Sequence, residues 1–275
     1  MKTWTPNISK HHGCKTIATR TLSALALSLA LAAGAQAAEL PELRVGMDPT
    51  FEPYEYKTPD GKLVGFDVDF ANALCVQLKM KCVFVEQAWA GIIPSLMAKK
   101  YDVIISSLTI NEDRKKVILF TDKYSGAPNR MVARRGSGID GTPATLAGKK
   151  IGVGKGSTQE AYAKKTYGAA GATVVGYAST ADAYLDIAAG RVDAVIASQL
   201  EVKTAFLNKP SGKGYEYVGP ELEDAAVFGV GSGMGLRKED TALRDKINAA
   251  IKVLRSNGEY KKINDKYFDF DAYGK

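Results

Sequence analysis

Apolar and polar positions along the chain spell one arrangement twice. The run LRVGM at 43–47 predicts a short buried strand, and Pro49, Pro53, Pro59 and the Asp60-Gly61 turn then break the chain as far as Phe66. Phe66, Phe70, Leu74 and Leu78 recur every fourth residue, the spacing of a helix with one apolar face. CVFVE at 82–86 predicts a second strand. Ile92 to Lys99 predicts a helix, with Pro94 tolerated in its first turn, and DVIISS at 102–107 a buried strand with a polar end. The second passage reads KIGVG (150–154), a helix, ATVVGY (172–177), a helix, then DAVIAS (193–198). Asp102 aligns with Asp193, Ala98 with Ala189 and Ser107 with Ser198. Such alternation predicts an α/β protein of two lobes, each a mostly parallel sheet flanked by helices. Ligands of open α/β sheets bind beyond the carboxyl ends of the strands. Two such ends predict a clam-shell that closes on something small.

The passages between the units place the boundaries. Gly126 and Pro128 mark a first crossing at 126–129, and the glycine-rich run after Pro220 marks a return crossing at 223–230. Lobe 1 is then discontinuous, 38–125 with 231–275, and lobe 2 spans 130–222. Two crossings make a two-stranded hinge about which rigid lobes can bend. Residues 136–148 read as a surface loop, 208–224 as a polar stretch, Lys238 to Ser256 as a terminal helix, and Tyr260, Tyr267 and Phe268 as packing residues of a short tail.

Residues 1–37 carry the pattern of a secretory signal peptide. Lys2, Lys10, Lys15 and Arg20 precede an apolar run from Thr21 to Ala35, and Ala35-Gln36-Ala37 offers small residues for cleavage before Ala38. The run of about 15 residues is short for a membrane span of roughly 20. Removing four basic residues from 37 leaves 33 against 30 acidic, so the mature charge is near +3 rather than +7. No stripe for nucleic acid or polybasic membrane patch remains.

The expected mature chain holds Cys75 and Cys82, one late in a helix and one opening the next strand. They are either a stabilising disulfide, as export to an oxidising compartment favours, or two buried thiols. Both histidines, His11 and His12, fall in the leader, which excludes histidine-based triads and histidine-ligated zinc from the mature protein. The glycines at 152, 154 and 156 lack the spacing of a dinucleotide fingerprint, and Gly148-Lys149-Lys150 is no P-loop. No cofactor and no metal are expected.

Several strand ends carry candidate ligand contacts. Arg114 follows Ser106-Ser107-Leu108-Thr109, and a guanidinium beside hydroxyls suits a carboxylate; it could equally be a surface arginine near Asp113 or Asp122. Gly154-Lys155-Gly156-Ser157-Thr158-Gln159 places Ser157 and Thr158 at a helix N-terminus, which favours an anion, or serves as an ordinary cap with Glu160. Phe51 and Trp89 follow the first two strands and could sandwich a side chain or join the core. Asp48 is the acidic candidate for a ligand's positive end, or the start of the following turn.

Here the sequence resembles the periplasmic amino-acid-binding proteins of ABC importers (solute-binding protein family 3), in particular the lysine/arginine/ornithine- and histidine-binding type. The matching stretches are G-F-D-V-D (65–69), I-P-S-L-x-A-K-K (93–100), I-I-S-S-L-T-I (104–110), D-R-K-K (113–116), G-S-T-Q-E-A-Y (156–162), G-L-R-K-E-D (235–240) and K-Y-F-D-F (266–270). The resemblance implies a Venus-flytrap fold without catalysis, and delivery of an amino acid to a membrane permease by a monomer in the periplasm. It implies that Arg114 binds the α-carboxylate, helped by backbone N–H groups of Ser107 and Thr158 and by the Thr109 hydroxyl. Phe51 and Trp89 would sandwich the side chain, while Asp48, Ser106 and Gln159 reach its polar end. Cys75 and Cys82 fall where this subgroup has its disulfide.

Two positions depart from the family pattern. Ser198 stands where an aspartate usually accepts the α-ammonium, and Gly154 where a bulkier apolar residue is common. The lost charge-assisted bond is worth roughly 1.5–3 kcal/mol. Glu201 or Gln199 could compensate. The expected ligand is a basic amino acid of the arginine, lysine, ornithine or histidine class; an opine or other substituted amine is the alternative. A dehydratase on the same fold is a remote alternative that needs a placed general acid or base.

Overall fold

The computed structural model of the protein describes residues 1–6 and 39–274. Nearly all of the expected leader, with its cleavage point, lies outside the described residues. Met1–Glu39 forms one unit and Leu40–Lys275 another; the elements below belong to the second.

In the first half, strand β1 (Glu42–Met47) is followed by the small antiparallel sheet β2 (Thr50–Phe51), β3 (Glu55–Lys57) and β4 (Leu63–Val64). Helix α1 (Phe66–Leu78), β5 (Lys81–Glu86), α2 (Ile92–Met97), β6 (Val103–Ile104), α3 (Glu112–Val117) and β7 (Leu119–Ser125) complete it. The second half contains β8 (Asn129–Arg134), α4 (Pro143–Leu146), β9 (Lys150–Gly154), α5 (Thr158–Thr166), β10 (Thr173–Tyr177), α6 (Thr180–Ala188) and β11 (Ala194–Ser198). It ends with α7 (Gln199–Glu201), which runs into a wide π-helical stretch Val202–Leu207, then β12 (Tyr215–Leu222) and α8 (Ala225–Phe228). Strand β13 (Ser232–Leu236) and helices α9 (Thr241–Ser256) and α10 (Glu259–Tyr267) close the chain.

Two five-stranded sheets result, in the orders β5-β1-β6-β13-β7 and β10-β9-β11-β8-β12. The first draws β13 from the far end of the sequence, which makes that half discontinuous. Each sheet is a parallel trio extended by one strand that runs against it, β13 or β8, and by an edge strand, β7 or β12, antiparallel to that one. Four of the five strands in each sheet thus run in one direction, while the pairings are mixed, two parallel and two antiparallel. The antiparallel strands β7, β8, β12 and β13 flank the two passages between sheets, Gly126–Pro128 and Glu223–Gly231, where the chain leaves one sheet and enters the other.

Alternating side chains bury both faces of each sheet. Leu43, Val45 and Met47 of β1 pack on Phe66, Phe70 and Leu74 of α1 and on Ile247 and Ile251 of α9. On the opposite face Ile104 meets Ile92, Leu96 and Tyr101. In the second sheet Ile196 packs with Ala163 and Tyr167, and Val195 with Ala183, Ile187 and Phe206. Cys75 and Cys82 are joined in a disulfide between the last turn of α1 and the start of β5.

Several expectations need correction. The polar stretch 208–224 contains the edge strand β12, whose Tyr215, Val218 and Leu222 turn inward. The loop 136–148 holds the short α4. The strand expected at 102–107 keeps ladder pairing only at Val103 and Ile104, because Ser107 takes a positive φ of 43° and turns the chain away. The tail after Ser256 is a further helix, α10, and Tyr260 and Phe268 pack in the first core as expected.

Candidate functional site

The sequence motifs hold each other across the first sheet. In G-F-D-V-D, Gly65 has φ 133°, and a Cβ there would stand 2.1 Å from the Tyr54 carbonyl oxygen, so only glycine fits. Asp67 is thereby brought against Ser107, whose N–H donates to its Oδ2 at 2.6 Å. Asp69 accepts from Lys266 at 2.6 Å and from the Tyr267 hydroxyl at 2.7 Å, which ties the motif to K-Y-F-D-F. Arg237 of G-L-R-K-E-D donates to the Tyr101 carbonyl at 2.8 Å and pairs with Asp240 at 2.8 Å.

A cleft lies between the carboxyl ends of the two parallel trios. Eleven of the twelve candidate residues line it: Asp48, Phe51, Trp89, Ser106, Ser107, Thr109, Arg114, Gly154, Ser157, Thr158 and Gln159. The twelfth, Ser198, opens instead into an adjoining cavity that shares Phe51, Ser107, Thr109 and Gln159. Its Oγ lies 3.4 Å from the Tyr54 hydroxyl.

Arg114 sits in α3 below an Asn111 cap, whose side chain accepts the Arg114 N–H at 3.0 Å. The guanidinium donates to the Thr109 carbonyl at 3.1 Å and lies 5.3 Å from the Trp89 ring centroid. Neither Asp113 nor Asp122 pairs with it; Asp113 holds Lys116. Burial without a carboxylate partner lowers its pKa to about 10. A half-buried guanidinium of this kind can receive an anion.

The same lobe also brings Asp48 to the cleft. Its Oδ1 accepts from Thr50 Oγ1 at 2.9 Å and its Oδ2 from the Trp89 N–H at 2.8 Å, yet burial still raises its pKa. Ser106 does not point freely into the cleft. It donates to Glu55 Oε1 at 2.5 Å and accepts the Asp48 N–H at 3.1 Å. Behind it, Glu55 Oε2 and Asp67 Oδ1 are buried acceptors without a donor. A proton held by Glu55 and offered to Asp67 supplies both, and the neighbouring charge together with burial raises the Glu55 pKa well above the usual range. The Ser107 N–H, expected to face a ligand carboxylate, is taken by Asp67 and by the Tyr124 hydroxyl at 3.0 Å. This is a correction: the positive φ that ends the strand also aims that donor inward.

From the second lobe, α5 presents its N-terminus. Ser157 accepts the Glu160 N–H at 3.1 Å and Glu160 reaches back to the Gly156 N–H at 2.6 Å, a capping box. Thr158 and Gln159 remain at the cleft, with Gln159 Nε2 held by Asn129 Oδ1 at 2.6 Å. Gly156 faces Trp89 of the other lobe: a Cβ there would lie 3.8 Å from the indole. Phe51 stacks on Tyr54 with centroids 4.9 Å apart. Both aromatics therefore border the cleft, backed by core.

Glu55, Tyr54 and Thr180 were not foreseen, and Glu201 only as a substitute for an aspartate at 198. All but Tyr54 line the cleft. Glu55 stands between two tyrosines in a short strand, and nothing local marks it as buried. Glu201 lies one helical turn past Ser198 and is buried, and burial pushes its pKa up to about 8.

The comparisons with known proteins agree with one another. The model of the bacterial extracellular solute-binding proteins, family 3, matches residues 43–270. The L-arginine-binding protein of Pseudomonas aeruginosa is 48% identical over 253 residues, covering 92% of this chain and 97% of that protein. The histidine-binding periplasmic protein of Salmonella typhimurium is 46% identical over 255 residues, covering 91% and 98%. Among solved structures, a periplasmic binding protein of Salmonella typhimurium with high arginine specificity superposes with a TM-score of 0.77 at 32% identity, covering 83% of this chain and 99% of that one. The chain belongs to the bacterial extracellular solute-binding proteins of family 3.

Proposed function

We propose that this member of the family captures a basic amino acid in the periplasm and hands it to the membrane permease of an ABC importer. One observation carries the reading: Arg114 is a half-buried cation with no carboxylate of its own, in the same cleft as Asp48. A zwitterion with a positive side chain satisfies both. Its α-carboxylate takes the fork of Arg114 and the N-terminus of α5, where aligned N–H groups favour an anion. Its cationic tail takes Asp48 between Phe51 and Trp89, with ring faces adding attraction for a cation. The relatives named for arginine and histidine support the same class.

Lobe 1 is residues 38–125 with 231–275, lobe 2 residues 130–222, and 126–129 with 223–230 serve as the hinge. The leader is removed before Ala38, and the mature monomer closes about the ligand. Closure without chemistry suits the cleft. Burial and the neighbouring Asp67 raise the Glu55 pKa, and no histidine is present in the expected mature chain.

Calorimetric titration of residues 38–275, freed of bound ligand by unfolding and refolding, tests the reading. Arginine, lysine, ornithine and histidine are expected to bind with nanomolar to micromolar affinity. Binding of acidic or neutral solutes with failure of every cationic one would overturn it. Octopine belongs in the same series, because Ser198 leaves the space and charge near the α-amine open to a substituted nitrogen; a clear preference for octopine would select the opine alternative.

A further inference from the structure

We infer that Glu201 and the bare backbone of Gly154 form a cation recess in the second lobe that receives the far, positively charged end of the ligand's side chain. The inference rests on the amino-acid reading above and names a counter-ion in the lobe opposite Asp48.

Glu201 is 2% exposed, yet its side chain lines the cleft. Its one side-chain hydrogen-bond partner is Thr180, a hydroxyl that lines the same wall, and no basic side chain among the described residues pairs with it. A buried carboxylate left without a cation is costly unless something neutralises it, a proton or a positively charged ligand. Of the other buried acids on the cleft wall, Asp48 takes hydrogen bonds from both Thr50 Oγ1 and the Trp89 N–H, and Glu55 lies against a second carboxyl, Asp67, with which it can share a proton. Glu201 has no such neighbour.

Gly154 is the second, independent observation. Its φ is not positive, so the backbone does not require glycine there. A Cβ would meet only Thr180 Oγ1 at 3.5 Å and Ser157 at 3.8 Å, ordinary contacts. A side chain at this position would therefore fit, and would fill the space beside Thr180 and Glu201. Its absence leaves that space to a ligand. Ser198, by contrast, opens into the adjoining cavity, so the carboxylate of Glu201 does not simply replace a strand-end acid at the α-amine.

Protonation follows from the same geometry. Burial holds the Glu201 pKa near 8 without ligand. Two phenols lie within reach of its charge, Tyr184 from α6 and Tyr54 from the β2–β3 turn; burial pushes both up, and the Glu201 charge adds to it. Arg114, Asp48 and Lys155 share the cleft, with Lys155 acting on Glu160. A guanidinium beside Glu201 favours the carboxylate, so the proton leaves to solvent as the cation docks. Affinity for such a ligand then rises as the pH climbs from 6 towards 8.

Arginine and citrulline separate this from a general role, because they share the α-amino acid head and differ in the charge of the tail. Calorimetry on the mature protein, in two buffers of different ionisation enthalpy at pH 7, is expected to show proton release with arginine and less with citrulline. In Glu201→Gln the preference for arginine over citrulline should fall by about tenfold to a hundredfold, and the proton release should shrink. Gly154→Leu, which fills the recess without touching the charge, should weaken arginine more than alanine. Equal losses for arginine and citrulline in Glu201→Gln, an unchanged preference, or undiminished proton release would overturn the inference and leave Asp48 as the one acid that meets the distal charge. Failure of the wild-type protein to bind any amino acid would overturn instead the reading beneath it, and this inference with it.

Discussion

The two copies of the strand-helix unit share one backbone lock and differ in what they hold beyond it. In the first, the Asp102 N–H donates to the Arg44 carbonyl at 2.9 Å and the Asp102 carboxylate accepts the Arg44 N–H at 3.1 Å. In the second, Asp193 and Lys150 make the same pair of bonds, both at 2.8 Å. Five residues on from each aspartate stand Ser107 and Ser198. The first turns inward with positive φ and binds Asp67; the second continues β11 and reaches the Tyr54 hydroxyl across the interlobe gap. Equal scaffolds thus carry unequal chemistry. Lobe 1 brings Arg114, Asp48 and the two aromatics. Lobe 2 brings a helix N-terminus and, one turn past its strand, the unpaired Glu201.

The sharpest way to break this division is to remove the cation of lobe 1. Arg114→Ala should weaken every α-carboxylate ligand by about 2–5 kcal/mol, whatever its side chain. Folding stability should change by no more than about 1–2 kcal/mol, because the contact with Trp89 and the hydrogen bond to the Thr109 carbonyl are lost together with a buried cation that has no carboxylate partner; calorimetry and thermal unfolding read the two effects apart. Selective loss of some ligands only would deny Arg114 its general role.

The lobes are also stapled differently. The turn from α1 to β5 is clamped by the disulfide across seven residues, whereas the matching turn before β10 is made by Gly171 at φ 96°. For so short a loop the chain-entropy model gives about 2–3 kcal/mol. Cys75→Ser with Cys82→Ser should lower the denaturation midpoint accordingly and leave arginine affinity within threefold. A large loss of affinity would show that the clamp also shapes the cleft.

Ser198→Asp would make lobe 2 more like an acidic receptor for the α-ammonium. Free amino acids should bind tighter by roughly 1.5–3 kcal/mol, and octopine less so. The ligand-free protein should lose stability, since a carboxylate would be buried beside Tyr54 with no cation. Unchanged preference between free and substituted amines would remove Ser198 from the selection of ligand.

The smallest effect is expected at the rim, where Lys209 of the second half pairs with Glu52 of the first at 3.1 Å, both partly exposed. Lys209→Ala should shift affinity by less than about 1 kcal/mol and lose even that at high salt. A larger, salt-resistant effect would make this pair part of closure rather than decoration of its edge.

Much of this was legible in the residues. The fourfold spacing of Phe66, Phe70, Leu74 and Leu78 describes α1 as it stands, and the doubled run ending in Asp102 and Asp193 marks both parallel trios. Arg114, Trp89, Asp48 and the Ser157-Thr158 turn could be read because each follows a strand end, and strand ends in this kind of sheet converge. The edge strand β12 was hidden in a polar stretch with Pro220 and Gly219, since an edge strand needs only alternate inward residues. The donor at Ser107 was misjudged for a related reason: its direction depends on Asp67, forty residues away.

Local spacing, then, settles which segments become helix or strand and which side of each is apolar, because those periods are set by neighbours within a turn or two. Charge state and aim are settled at longer range. The Glu55 pKa is raised because a closed core and Asp67 surround it, Arg114 has no ion pair with its neighbour Asp113, which holds Lys116, and Glu201 is a buried acid whose side chain meets Thr180. Desolvation and pairing belong to the packed assembly of distant segments, and no stretch of sequence carries them alone.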